Sequence, residues 1–409
     1  MDKINFIDYD MNTAETTTDL IENSKSVFKD FEFVNYNDVS KDTVNYLPLH
    51  IRQPFGVEDI IKKIPNDIFL LMQQRIIRPL IIMVTEHWDL FDTFAWQYNK
   101  FQLTPDFGNV PYSKMIQHFT NRAVPEENIT WLVPMDSHLT QIQFLKDKGY
   151  KIKAKFIQYD YFLELAKPFA KKHKITSRQF KNHFSCLCRG TPRNHRFGIV
   201  YDLWRQGLLD KGNVSCEDYQ ELNESKNSSW IDDTVTTSSF MNGFENWSTN
   251  KNKFIENLPL NYDNTNNQHW MSNYDESYIF NDSFLWISSE TKKTHEGVYI
   301  TEKTWKAIAY GSPFCINGDN GSLRYLKSMG FKTFSEYWDE SYDEDNDIEK
   351  IKKITNIVKN ICDKGLDELH HLYASMLPIL KHNQQLLINN TQHNNLIKDL
   401  SKAHGIESK

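Results

Sequence analysis

Tyr299-Ile-Thr-Glu-Lys-Thr-Trp-Lys-Ala-Ile-Ala-Tyr-Gly-Ser-Pro-Phe-Cys-Ile-Asn-Gly318 decides how this chain is read. The pattern predicts a buried strand end, a short helix with Glu302 and Lys303 in its first turn, a stop at Gly311, and a second apolar strand. Thr301 can cap the helix, and a helix start carries roughly half a positive charge. A carboxylate, an ammonium and backbone N–H groups thus meet at one helix N-terminus, a place to hold a phosphorylated ligand. Lys303 suits a diphosphate; Glu302 would repel one and suits ribose hydroxyls. The competing reading is an ordinary amphipathic helix start, where acid is favoured early in any case.

Working outward, Cys188-Arg-Gly-Thr-Pro-Arg-Asn-His-Arg196 follows the apolar run Phe184–Cys188. Guanidinium forks match phosphate oxygens in paired hydrogen bonds, which makes Arg189, Arg193 and Arg196 candidates for an anionic ligand. The end of a strand is also where open α/β sheets bind ligands. Val84-Thr-Glu-His-Trp-Asp89 ends another apolar run, and Glu86, His87 and Asp89 are candidates for a general base, Glu86 and Asp89 as the catalytic carboxylates with Glu86 preferred; a helix-capping cluster is the alternative. Asn317-Gly-Asp-Asn-Gly-Ser-Leu-Arg324 is either a turn presenting N–H groups to a ligand or a plain strand-to-helix turn. Asp343-Glu-Asp345 lies in acidic surroundings and reads as a solvated loop. Zinc spacing, a Gly-x-Ser-x-Gly elbow and a Gly-x-Gly-x-x-Gly fingerprint are absent from the sequence, so no metal is expected.

The chain has 409 residues and a formal charge of −7, enough length for two domains and too acidic to cling to nucleic acid by overall charge. A local basic groove from Lys167–Lys181 with Lys151, Lys153 and Lys155 stays open. The five cysteines, at 186, 188, 216, 315 and 362, read as core thiols of a reducing compartment. No signal pattern opens the chain and no apolar run approaches the ~20 residues of a membrane span. The expectation is therefore a cytoplasmic protein without membrane contact. Richness in Asn, Lys and Ile is consistent with an AT-rich genome such as that of a virus, in which case the compartment is the host cytoplasm.

Ile68–Met72, Leu80–Val84, Ile129–Val133 and Lys153–Ile157 are predicted strands, with a helix from Asp136 ended by Gly149. A second α/β series has strands at Phe184–Cys188 and Ser283–Ser288 and a helix from Phe197 to Gln206. Residues 217–275 are polar and read as an insertion, although Trp230, Phe240, Phe244 and Trp247 argue against disorder. From Ile351 to about Ala403 the pattern is helical, interrupted at Pro378.

Residues 183–335, through Phe184–Arg196, Phe284–Glu290 and Tyr299–Phe331, resemble the nucleotide-sugar domain of the α1,3-fucosyltransferase-like glycosyltransferases, and phage and viral relatives of that family more closely still. The resemblance implies a GT-B-like α/β architecture: two facing Rossmann-like domains with a C-terminal helical segment. The expected division is 1–175 for the acceptor side, 183–350 for the nucleotide-sugar domain and 351–409 for the C-terminal helices. It further implies that Arg189 or Arg193 and Lys303 grip a diphosphate, Glu302 the ribose, that Glu290 lies near the sugar, and that Tyr299 lines the pocket. Glu86 is the nearest match to the family's base. The family's Phe-Glu-Asn becomes Ile287-Ser-Ser-Glu290 and its Ala-Val-Pro becomes Gly311-Ser-Pro313, which leaves base and sugar open. The expected activity is metal-independent, inverting transfer from a nucleoside-diphosphate sugar, the co-substrate, to a hydroxyl of a glycan, a protein or a modified DNA base. The alternative is a non-catalytic module binding nucleotide-sugar or nucleic acid on the same fold.

Overall fold

A computed structural model describes residues 4–8, 28, 31–51, 61–83, 111–134, 136–147, 149–188, 193–216, 237–261, 277–290 and 298–403. The chain divides into two compact units, Met1–Glu164 with Thr391–Lys409, and Leu165–Asn390.

The first unit is built on a parallel sheet of six strands: β1 (Ile4–Ile7), β2 (Glu32–Val34), β3 (Val44–Ile51), β4 (Ile77–Met83), β5 (Thr130–Val133) and β6 (Lys155–Gln158). Their order is β2-β1-β3-β4-β5-β6, a doubly wound sheet. Leu80, Ile81, Ile82, Trp131, Leu132 and Val133 are buried on both faces, as parallel strands covered by helices must be. The helices α1 (Asn66–Gln73), α2 (Pro111–Thr120) and α3 (Asp136–Asp147) lie between strands in the chain.

The predicted strand at Ile68–Met72 is α1. Ile68, Phe69 and Met72 are buried while Leu70 is 53% exposed, a spacing of helical and not alternating period. Pro65 precedes the first turn and Asp67 stands within it, both helix-start signals that a short apolar run conceals.

The second unit carries β7 (Asn182–Cys188), β8 (Gly212–Cys216), β9 (Leu260–Asn261), β10 (Ser283–Ser289) and β11 (Phe314–Asn317) in the order β11-β10-β7-β8-β9. All pair in parallel except the two-residue β9, which runs antiparallel to β8. From β7 the chain winds outward to β8, then returns to the other side of β7 as β10. The carboxyl ends of β7 and β10 therefore form the topological switch point, where an open α/β sheet leaves a crevice.

Helix α4 (Tyr161–Lys172) contains the boundary between the units, so they divide at Glu164 and not near 175. After β7 comes α5 (Asn194–Arg205), and within 217–275 stand α6 (Thr237–Met241) and α7 (Trp247–Ile255). Phe197 and Tyr201 of α5 pack edge-on against Trp247 and Phe254, at 5.0–5.9 Å between ring centres. This part of the polar segment is thus core, its few aromatics supplying the buried surface. Trp230 lies outside the described residues.

The remaining helices are α8 (Ser277–Asp282), α9 (Glu302–Tyr310), α10 (Ser322–Ser328), α11 (Asp347–Cys362), α12 (Leu366–Asn389) and α13 (Gln392–Ala403). Pro378 sits inside α12 without ending it. The helices from 351 onward do not form a separate unit: α11 and α12 belong to the second, and α13 to the first. There the Tyr46 hydroxyl donates to the Leu400 carbonyl at 3.2 Å, and Gln392 Nε2 donates to the Asp160 carbonyl at 2.8 Å and Glu164 Oε1 at 3.0 Å. No helix among the described residues is long and apolar enough to cross a membrane.

Candidate functional site

The switch point of the second unit is built around Glu290, the residue that follows β10. It is completely buried. Its amide donates to the Asn317 carbonyl at 3.0 Å, which keeps it in line with β11. Its carboxylate turns beneath the start of α9. Oε1 accepts the Thr301 amide at 3.3 Å and the Thr304 hydroxyl at 2.6 Å, and Oε2 accepts the Thr301 hydroxyl. Burial pushes the Glu290 carboxyl above the ordinary range; the Lys303 charge and the two threonine hydroxyls oppose that rise without cancelling it.

Thr301 caps α9 as its sequence position predicts. Its oxygen accepts the Lys303 amide at 3.4 Å and the Lys303 ammonium at 3.1 Å. The ammonium also reaches Glu302 Oε1 at 2.8 Å. Burial works against ionisation of Glu302, but the adjacent Lys303 charge and hydrogen bond outweigh it and hold the carboxyl below its usual range. The stretch before the cap is not a strand end. The Tyr299 amide donates to Asp319 Oδ2 at 3.1 Å, and with the Thr301 amide on Glu290 the backbone is satisfied by side chains in place of a ladder. Tyr299 itself is buried.

The far end of α9 is equally fixed. Gly311 adopts the left-handed conformation (φ 66°, ψ 45°) that closes the helix. The Arg178 guanidinium donates to the Tyr310 carbonyl and, at 3.1 Å, to the Phe280 carbonyl. Gln384 Nε2 donates to the Ala309 carbonyl at 2.7 Å, and the Tyr373 hydroxyl to the Gly311 carbonyl at 3.0 Å. A cation at a helix C-terminus complements the dipole. Lys303 therefore projects from a helix anchored at both ends.

Across the switch point, α5 begins at Arg193, whose extended backbone (φ −136°, ψ 138°) forms an N-cap position without a side-chain cap. The first turn of α5 is tied to Glu290 as well. His195 Nε2 lies 2.8 Å from the Glu290 carbonyl and Arg196 Nε donates to the same oxygen at 3.3 Å. A carbonyl only accepts, so His195 carries a proton on Nε2. Asn317 Nδ2 donates to the His195 carbonyl and to Ser289 Oγ, both at 3.1 Å.

Cys188 ends β7 between these two helix starts. Its thiol is shifted below the ordinary range, chiefly by a hydrogen bond from Cys186 (Sγ to Sγ 3.7 Å); burial opposes the shift, and Arg196, Ser289 and Lys303 reinforce it.

Of the residues singled out from sequence, Arg193, Arg196, Glu290, Tyr299, Glu302 and Lys303 gather in this unit around β7, β10 and α9. Glu86, Asp89 and Arg189 lie outside the described residues. Arg196 and Glu290 are buried and bonded to protein groups. Thr304 and Asn317 lie inside motifs whose pattern gives them no role of their own, and His195 belongs to the basic run 188–196 that suits an anionic ligand. Thr304 stands in the first turn of α9, where a hydroxyl can bond a neighbouring carboxylate, but nothing in the sequence says that this carboxylate is Glu290.

Parts of two further motifs prove structural. In the turn before α10, the Gly321 amide donates to the Asp343 carbonyl at 3.0 Å, and the Leu323 and Arg324 amides to Asp343 Oδ1 and Oδ2 at 3.0 and 3.2 Å. Its N–H groups are thus engaged by the protein, and Asp343, expected in a solvated loop, is buried as a helix cap. In the basic connector, Lys167 is buried and donates to the Asn390 carbonyl at 2.8 Å, which removes it from any basic groove. Among the described residues no group of three or more His, Cys, Asp or Glu side chains is arranged to hold a metal ion. Comparison with protein-family models, with curated proteins and with solved structures finds no match.

Proposed function

We propose that the chain is a glycosyltransferase of GT-B architecture, moving a sugar from a nucleoside-diphosphate sugar to an acceptor hydroxyl. The observation that carries this reading is the convergence of Lys303, Glu302 and the starts of α5 and α9 at the switch point of β7 and β10. Lys303 and Arg193, with Arg189 of the sequence between Arg193 and β7, would neutralise the diphosphate. Glu302 would exchange its bond to Lys303 for the ribose hydroxyls.

In the reaction, Glu86 takes the proton of the acceptor hydroxyl as its oxygen forms a bond to the anomeric carbon. The bond from that carbon to the diphosphate oxygen breaks, and its electron pair leaves on the nucleoside diphosphate. Cations at the leaving group stabilise the charge that develops there. The acceptor is a glycan, a protein or a modified DNA base.

Release of nucleoside diphosphate from a panel of nucleotide-sugars, with and without acceptor mixtures, tests the activity. Glu86→Gln should keep donor binding and lose turnover by ~10²-fold or more, the scale of general-base catalysis. Binding without turnover in the unmodified protein would instead favour a non-catalytic nucleotide-sugar module.

A further inference from the structure

Glu290 occupies a position that neither capping rules nor packing alone requires. One residue links the end of β10 to β11 through its amide, to the first turn of α5 through its carbonyl, and to the first turn of α9 through its carboxylate. Room for that side chain is kept by Gly318, where an added Cβ would lie 3.0 Å from Glu290 Cγ and 3.1 Å from its Cβ.

The direction of the hydrogen bonds matters most. An ionised carboxylate only accepts, so the Thr301 hydroxyl must turn its single proton toward Glu290. Its lone pairs are then left facing the Lys303 ammonium at 3.1 Å. We infer that Glu290 is a positioning residue that acts through Thr301 to hold the Lys303 ammonium where the donor's diphosphate binds, and that this alignment switches off when Glu290 takes up a proton. The inference rests on the proposed role of Lys303 as a diphosphate ligand.

A neutral Glu290 must donate one hydrogen bond, and Thr301 or Thr304 then has to receive it. A proton on Oε2 makes Thr301 the acceptor and reverses the relay to Lys303; a proton on Oε1 goes to Thr304 and leaves Thr301 a neutral, weaker acceptor in place of the carboxylate that fixed its own proton. Because burial raises the Glu290 carboxyl, the protonated form enters at a pH above that of an ordinary glutamate. Donor affinity should therefore be full while Glu290 is ionised and fall as the pH drops through its raised pKa. Among the described residues, the charged and titratable groups around it are Glu302 and Lys303 on α9, His195 and Arg196 on α5, Cys188 at the end of β7 and Asp319 beyond β11. His195 also bonds Glu290, so a pH step alone does not assign the group.

The test measures dissociation constants of the nucleotide-sugar that binds the intact chain, from pH 4.5 to 8. A nucleotide-sugar is chosen because its diphosphate, esterified at both ends, has no ionisation of its own in that range. The wild type should lose affinity about tenfold towards acid, Glu290→Gln should bind about tenfold more weakly at pH 7.5 with a flattened profile, and His195→Gln should keep the step. Thr301→Val, which retains the backbone contact to Glu290, should also weaken binding at pH 7.5 and serves if Glu290→Gln fails to fold. Donor binding that depends on Lys303 but has no acid step, or the same step in Glu290→Gln (Thr301→Val standing in for it), overturns the inference while leaving the donor site intact. Binding of no nucleotide-sugar at all removes the donor site and the inference together.

Discussion

Lys303 and Glu302 are bonded to each other, ammonium to carboxylate, at 2.8 Å at the start of α9. About a fifth to a quarter of each side chain is exposed, which leaves a nucleotide access to both. A diphosphate would draw the ammonium away from its neighbour, and ribose hydroxyls would replace it on the carboxylate. Lys303→Ala should thus weaken nucleoside diphosphate binding by about 10–100-fold, the scale of a charge-assisted hydrogen bond. Glu302→Ala should weaken binding of nucleotides and not of inorganic pyrophosphate, which lacks the ribose. Isothermal titration of the two variants with both ligands checks the division of roles.

Asp343 and the start of α10 give a stability prediction independent of function. The carboxylate accepts two helix amides that have no other partner given by the helix, and its carbonyl accepts the Lys350 ammonium at 3.3 Å. Asp343→Ala should cost about 1–3 kcal/mol by stranding those amides, and Asp343→Asn should recover part of the loss. In a unit of this size that is a fall of roughly 3–10 °C in thermal midpoint, read by circular dichroism. Lys303-dependent nucleotide binding below the transition should be unchanged.

Gly311 tests the rigid mounting of α9. A Cβ there would sit 2.5 Å from Ile175 Cδ1, and the backbone is left-handed. Gly311→Ala should destabilise by about 2 kcal/mol or more, since the left-handed conformation alone costs roughly 1–2 kcal/mol for a residue with a Cβ. A thermal midpoint within a degree of the wild type would contradict the described helix end.

The cysteines offer a chemical check. Cys186, Cys188, Cys216 and Cys315 are buried, and burial pushes the partly covered Cys362 thiol up to about 12. Native protein at pH 8 should react with a thiol reagent such as DTNB far more slowly than a free thiol, and all five should react in denaturant. Rapid reaction of two or more thiols in the native protein would refute the packing of the second sheet.

Much of the architecture is legible in local patterns. The β4, β5, β7 and β10 runs are apolar because both their faces are covered, and the helix of Glu302 is marked by Thr301 before it and Gly311 after it. What misleads is short apolar runs and buried polar side chains. Ile68–Met72 carries no strand-like alternation, and the exposure of Leu70 becomes visible only in three dimensions. Asp343 looks solvated because its sequence neighbours are acidic, yet it meets α10 some twenty residues away. Glu290 looks like a ligand residue at a strand end, and its partners Thr301 and Thr304 are distant enough that only the fold brings them under it. Tyr299 and Ile300 have strand composition without a strand; side chains take the amides of Tyr299 and Thr301.

The most direct test of the central claim is thermal stabilisation by a panel of nucleoside diphosphates and nucleotide-sugars, with Lys303→Ala alongside. Ligand at about a hundred times its dissociation constant adds roughly 2.7 kcal/mol to the stability of the folded state. A clear rise in midpoint is expected with one base and its sugar conjugate, lost or strongly reduced in Lys303→Ala. No shift with any nucleotide, or a shift indifferent to Lys303, would contradict that claim.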